Sequence, residues 1–419
     1  MTVAAADLEE RIFGLFGSDG QLLADPYPTW NELRARSPRA RMRATVVLSA
    51  HADVRELLGD NNRLYSRQRT RHAQMYQHAR RRFEPAQRAA FDEVIEHEFR
   101  QLVRLDPPAH GRQRKAVRAP FTPRALLREM QDKIGQRVAA GLEPLAGSGD
   151  VVDFKKFAYT LPITVIGDLL GISITDLERV HGWARVIADN KFNADSAVLA
   201  VQARDAYDAL MGYIDELVGR QQAAGVLTGL VASLIEAEGN GTVERAEVKA
   251  LLGLMIFAGH ETTSGLISVG LLELLRHPDQ WSLLCDDPAL VPNAVEELLR
   301  FVTPVQFLPY TAVAPRDLGE VQVQTGDTVI GVLAAANRDP AVFDRPDELD
   351  LLRTDVGEHL GFGLGPHFCL GASLARMEAT EIFTVLACQF PRIQLAPGEL
   401  RWGGRSLRTP LEMPVRLNP

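Results

Sequence analysis

Apolar residues recur every three to four positions along most of the first two-thirds of this chain, the spacing that gathers them on one face of an α-helix. The stretches 25–36, 51–60, 121–147, 200–225 and 243–277 all carry the pattern. The last is the longest, and through Leu251–Phe257 it is apolar on most faces, so it reads as a helix that runs through the core and not over it. Strand-like runs are short by comparison: 40–50, 307–314, 321–332 and 410–417. Many helices and a few brief strands predict a mainly α fold with small peripheral β-sheets, of the α+β class. No Gly/Ser/Pro-rich linker, repeat or low-complexity run divides the sequence, so residues 1–419 are expected to form one large domain.

Charge narrows the range of partners. The chain carries 46 Lys+Arg against 54 Asp+Glu, so no global basic field draws it to nucleic acid or to an anionic membrane, and a charge-guided partner must use a local patch. Residues 64–98 are dense in charge and have two readings, a solvated helix and loop or a segment that faces substrate. The three cysteines, Cys285, Cys369 and Cys388, are odd in number and too sparse for a disulfide framework, which fits a reducing cytosol. The segment MTVAAADLEERIFGLFG has acids where a signal peptide needs a basic start, and no stretch of 18 or more apolar residues occurs. A soluble, cytoplasmic protein is expected.

One cysteine stands apart. Residues 361–371, GFGLGPHFCLG, pack four glycines around His367 and Cys369 and lead directly into a helical pattern. A thiolate is a soft ligand, and glycines let backbone N–H groups and a flat cofactor approach the sulfur where Cβ atoms would obstruct them. The N-terminal end of the following helix stabilises an anionic sulfur further. An isolated cysteine here would be a buried residue in a turn, but Phe362, Gly363, Gly365, His367, Cys369 and Gly371 together spell F-G-x-G-x-H-x-C-x-G. This stretch resembles the haem-binding loop of the cytochrome P450 monooxygenases in their soluble bacterial form, and matching motifs recur in the family's order along nearly the whole chain. The resemblance implies the P450 fold, with a long central helix over the haem, and haem b as cofactor. Cys369 would be the axial iron ligand, Phe362 would shield the sulfur, and Gly363 and Gly371 would allow close approach. His367 would reach a haem propionate, and Leu370 and Ala375 would border the cofactor.

Other motifs support this. Glu297 and Arg300 lie three apart on a helix, a spacing at which exposed ion pairs contribute only tenths of a kcal/mol, and they resemble the family's E-x-x-R core pair. The third, basic member of that network has no clear match, because Glu348 and Leu349 stand where many relatives carry Arg and Phe. Asn337, Arg338 and Asp339 do fit. In DPPAHGRQRKAVRAPFTPRAL, His110 and Arg114 are four apart and share a helix face from which both can reach an anionic group. Arg112, Lys115 and Arg118 fall largely on other faces, either as solvated charges or, as in the family, as a docking surface for an acidic electron donor. Tyr310 occupies the place of the family's propionate-binding arginine, and offers a hydroxyl without charge.

In LLGLMIFAGHETTSGL, Gly259 sits in mid-helix, at a cost of about 1 kcal/mol relative to alanine, beside three potential proton carriers, Glu261, Thr262 and Thr263. The segment resembles the family's A-G-x-[D/E]-T-T, in which a widened turn at Ala258 and Gly259 makes a groove for dioxygen and water. Glu261 and Thr262 are then the catalytic pair. His260 points off that face and reads as structural. The function implied is insertion of one oxygen atom from dioxygen into an organic substrate, secondary-metabolic in kind by the resemblance, with electrons from NAD(P)H through a reductase and a ferredoxin. Oxidative coupling or ring formation on the same haem, and a non-catalytic haem sensor, are the alternatives. Phe257, Ala258, Val305, Phe307, Leu308, Pro410 and Leu411 are candidate pocket positions, and their apolar character favours a hydrophobic molecule.

Overall fold

The structure is a computed structural model that describes residues 3–17, 19–60, 63–72, 74–146, 151–192 and 196–417. The chain forms two compact units, each assembled from separated stretches: Met1–Asp60, Ile134–Pro162 and Glu261–Pro419 make one, and Asn61–Lys133 with Ile163–His260 make the other. The expected helices are present as Tyr27–Arg36, His51–Gly59, Pro123–Ala146, Ala197–Ala223 and Arg245–Arg276. The last is long and apolar enough to cross a membrane by length and composition, but 72% of its most apolar window is buried inside the protein, as in a core helix.

In the first unit, Arg39–Met42 and Thr45–Leu48 form a hairpin, Thr328–Val332 pairs with its second strand in parallel, and Phe307–Ala312 pairs antiparallel with Thr328–Val332. Val46, Val47, Val329 and Val332 are fully buried, so β-branched side chains fill the faces of this small sheet. Beside it the helix Val291–Val302 ends at Thr303, whose φ of 44° is left-handed. The Thr303 hydroxyl holds that turn by donating to the Arg300 carbonyl at 2.7 Å and accepting from Asn337 Nδ2 at 2.9 Å.

That helix carries Glu297 and Arg300, both with no side-chain exposure and joined by two 2.7 Å hydrogen bonds. The missing basic partner is Arg353, whose Nε lies 3.1 Å from Glu297 Oε2. Four further bonds complete the cluster: the Asp350 N–H donates to Glu297, and Arg300 donates to the carbonyls of Asn337, Pro346 and Glu348. The estimate for an exposed E-x-x-R pair therefore does not apply, because these groups are removed from water and every partner matters.

The second unit is helical. Pro85–Glu98 starts with a reciprocal capping box between Glu84 and Gln87, and it packs against Ala197–Ala223, which also packs against Ile174–Phe192. Within the charged segment 64–98, Ala79, Phe83 and Phe91 are buried with Ala200, while Arg81 and Arg82 stay exposed.

Glu297→Ala leaves two buried guanidinium groups without their carboxylate and is expected to destabilise the chain by about 3–5 kcal/mol, read as a lowered urea midpoint. Arg55→Ala, which removes one exposed partner of Glu358, should cost less than about 1 kcal/mol in the same titration.

Candidate active site

Cys369 sits at the end of a loop whose backbone is fixed from several sides. Leu360 N–H donates to Asn337 Oδ1 at 2.7 Å, Gly363 N–H to the Leu360 carbonyl at 2.9 Å, and Cys369 N–H to the Phe362 carbonyl at 2.9 Å. Gly363 and Gly365 have φ of 70° and 67°, a conformation that favours glycine. A Cβ on Gly365 would also lie 2.8 Å from the Leu58 carbonyl oxygen, so the loop is pressed against the end of the helix His51–Gly59. Gly371 precedes the helix Ala372–Gln389, and a Cβ there would meet nothing within 4 Å. Phe362, His367, Cys369, Leu370, Gly371 and Ala375 are all half-buried, neither packed into the core nor fully solvated.

Two acidic residues of this region were missed in the sequence. Glu296, next to Glu297, accepts from Arg376 at 2.6 and 2.8 Å and lies 3.1 Å from His359 Nε2. Burial alone would raise its pKa, but Arg376 and His359 outweigh burial and bring it to about 2. Arg376 in turn lies over the Phe362 ring at 4.5 Å. Its signal was an arginine two turns beyond the cysteine. The second omission is Glu378, which is 1% exposed and whose pKa burial pushes well above the ordinary carboxylate value. It shares a face with Leu374 and Ile382, so an acid at an apolar helical position was the visible sign.

On the long helix, residues 251–256 and 263–274 are buried, whereas Phe257, Ala258, Gly259, Glu261 and Thr262 keep partial exposure. The widened turn expected at Gly259 is not seen: the helix is continuous α from Arg245 to Arg276. Gly259 has a packing reason instead, since a Cβ there would lie 2.9 Å from Ile166 Cδ1. His260 is 1% exposed and meets the His181 ring edge-on at 5.4 Å, in keeping with a structural role. Glu261 accepts a 3.0 Å hydrogen bond from the Tyr159 hydroxyl.

The helix Ala109–Val117 buries His110, whose pKa is lowered by burial first and by the Arg114 charge second. Arg112, with its side chain 41% exposed, clamps Glu247 through its guanidinium at 2.6 and 2.7 Å, whereas Lys115 and Arg118 are exposed cations without an ion pair among the described residues. Tyr310 is buried opposite Val329. Of the candidate pocket residues, Phe307 packs its ring 4.7 Å from Phe16 in the core, Pro410 is buried, and Leu411 is 51% exposed. Val305, bridged to Leu407, and Leu308 are half-buried.

These residues fit a haem. A soft sulfur in an open, glycine-lined loop suits a flat group, and no three His, Cys, Asp or Glu side chains cluster as a metal site among the described residues. A haem held through the Cys369 sulfur would bring its remaining metal donors with it.

The model of the family described as Cytochrome P450 matches residues 39–282 and 288–392. The chain is 33% identical over 412 residues to the vitamin D(3) 25-hydroxylase of Pseudonocardia autotrophica, with 96% of each chain covered. It is 35% identical over 403 residues to the cytochrome P450 monooxygenase PikC of Streptomyces venezuelae, over 93% of this chain and 89% of that one. The crystal structure of CalO2 superposes with a TM-score of 0.85 at 29% identity, over 95% of this chain and 97% of the other. With an E-x-x-R cluster completed by a buried arginine and a cysteine held in a glycine loop at a helix start, the chain belongs to the cytochrome P450 family and is an oxidoreductase of its monooxygenase class.

Proposed function

We propose that this monooxygenase is a single catalytic domain that holds haem b through Cys369 and inserts one atom of dioxygen into a hydrophobic small molecule of secondary metabolism. The observation that carries the reading is the half-buried Cys369 in a loop hydrogen-bonded on both sides and followed at once by a helix. When bound, haem with a thiolate ligand supplies the oxidising chemistry. The chain's part is to hold it and to manage protons. His110, Arg114, His367 and Tyr310 are the candidate partners of the propionates, and Phe362 covers the sulfur. Thr262 Oγ1 holds a proton or a water at the reacting site, and the Glu261 carboxylate replenishes it. A hydrophobic substrate is supported by the half-buried Phe257, Val305 and Leu308 and by a relative named for hydroxylation of vitamin D(3). Electrons come from NAD(P)H through a cytoplasmic ferredoxin that meets Lys115 and Arg118.

Cys369→His should abolish the red-shifted absorption of the reduced carbon monoxide complex, because that band reports thiolate ligation, while Cys285→Ser and Cys388→Ser retain it. Persistence of the band without Cys369 would defeat the assignment.

Thr262→Ala should keep haem and substrate binding but lower product formed per NADPH by about tenfold or more, the lost electrons appearing as hydrogen peroxide. Unchanged coupling would place proton delivery elsewhere.

Lys115→Glu with Arg118→Glu should slow reduction by an acidic ferredoxin about tenfold at low salt, and the difference should shrink as ionic strength rises. Equal rates across the salt series would remove this face from docking.

A further inference from the structure

Behind Glu261 lies a polar cluster that the proposed reaction has not used. Lys155 and Tyr159 are four apart on the helix Phe154–Leu170 and so share a face. Glu261 and Ser264 are three apart on the long helix and share another. The two faces are joined twice: Tyr159 donates to Glu261 Oε1 at 3.0 Å, and Lys155 Nζ donates to Ser264 Oγ at 2.8 Å. A third bond of 2.8 Å runs from Lys155 Nζ to Thr409 Oγ1 on the strand Thr409–Pro410. Lys155 is only 9% exposed and forms no ion pair among the described residues.

A buried ammonium held by two hydroxyls is an expensive way to join helices, since an apolar side chain of similar size would avoid the desolvation. Its retention calls for a charge-dependent task. The groups that face it are Glu261 and Ser264 from the long helix, Thr409 from the C-terminal strand, and Asp153 and Tyr159 from its own segment. Of these, Glu261 and Asp153 are the carboxylates, and both favour its charged form. Asp153 is already committed to the backbone N–H groups of Lys155 and Met413.

We propose that Tyr159 and Lys155 are positioning residues for Glu261, the phenol fixing one carboxylate oxygen and the ammonium favouring the ionised carboxylate that accepts and passes on protons. This rests on the reading of Glu261 as the group that replenishes Thr262. Burial lowers the Lys155 pKa to about 8 against the attraction of the two carboxylates, so the ammonium is lost just above neutral pH and its support of Glu261 is lost with it. The sign for stability is opposite: because the folded-state pKa lies below 10.5, the penalty of burying the charge is present below about pH 8 and is relieved as pH rises toward 10.5.

The chain has six lysines, so lysine labelled with carbon-13 at Cε gives few resonances and Lys155 is assigned by its loss in Lys155→Met. One resonance should titrate near pH 8, and its midpoint should fall by several tenths of a pH unit in Glu261→Gln. The thermal midpoint of the wild type should rise relative to Lys155→Met between about pH 8 and 10.5. In turnover, Tyr159→Phe should keep haem content, the carbon monoxide band and substrate affinity. It should lower product per NADPH severalfold, enlarge the solvent isotope effect on kcat, and shift the pH profile of coupling. Lys155→Met should abolish the change in coupling centred near pH 8. A Lys155 midpoint indifferent to Glu261→Gln overturns the pairing itself. A midpoint that responds, with wild-type pH profiles in both Tyr159→Phe and Lys155→Met, overturns the positioning roles while leaving proton delivery by Glu261 and haem ligation by Cys369 intact.

Discussion

The ion cluster around Glu297 is the constraint on which the cysteine loop depends. Two arginines converge on one carboxylate with no exposure, and their other N–H groups go mostly to backbone carbonyls of residues 337–348, with Arg353 also reaching the Asp355 carboxylate at 3.5 Å. In a medium of low dielectric such a cluster tolerates neither a missing member nor a displaced one, because each leaves a charge or a carbonyl without compensation. The irregular segment around it is therefore held as firmly as a strand would be. Asn337 transmits that order: its carbonyl accepts from Arg300, its side-chain oxygen accepts from Leu360 N–H, and Leu360 begins the turn that ends at Cys369.

Two successive acids on the same helix divide the work. Glu297 faces the segment before the loop, whereas Glu296 faces the loop itself and the helix after it, through His359 and Arg376. Consecutive residues on an α-helix point about 100° apart, so one helix grips both sides of the cysteine turn. The loop can then remain half-buried and glycine-rich without being loose, which is what close approach of a flat group to a sulfur demands.

Much of this was legible in the chain because the signals are local. Helical periodicity located the long helix, glycine density marked the loop, and the E-x-x-R spacing marked the cluster. Arg353 was not legible, because its link to Glu297 spans 56 residues of irregular chain, and no periodicity connects them. The same holds for Tyr159 and Glu261, which are 102 residues apart. Gly259 misled for another reason: a mid-helix glycine signals either a distorted turn or a close neighbour, and only packing against Ile166 distinguishes them. The pairing of Arg112 could not be read because its partner Glu247 lies on a different helix. The packing of Phe307 against Phe16 was equally illegible, because the two lie far apart in sequence.

The contact between Gly365 and the carbonyl of Leu58 has a consequence for how the molecule is made. The same helix is tied to the residues just before the loop by His51, whose ring nitrogen lies 2.9 Å from the Glu358 carbonyl across 307 residues of sequence. Closing a loop of that length is an entropic cost met only when the distant part exists. On a ribosome, the helix His51–Gly59 emerges 307 residues before its Glu358 partner, and its docking edge stays uncovered until that segment has been synthesised. The site at Cys369 can therefore close only after the 307 residues that separate His51 from Glu358 have been made.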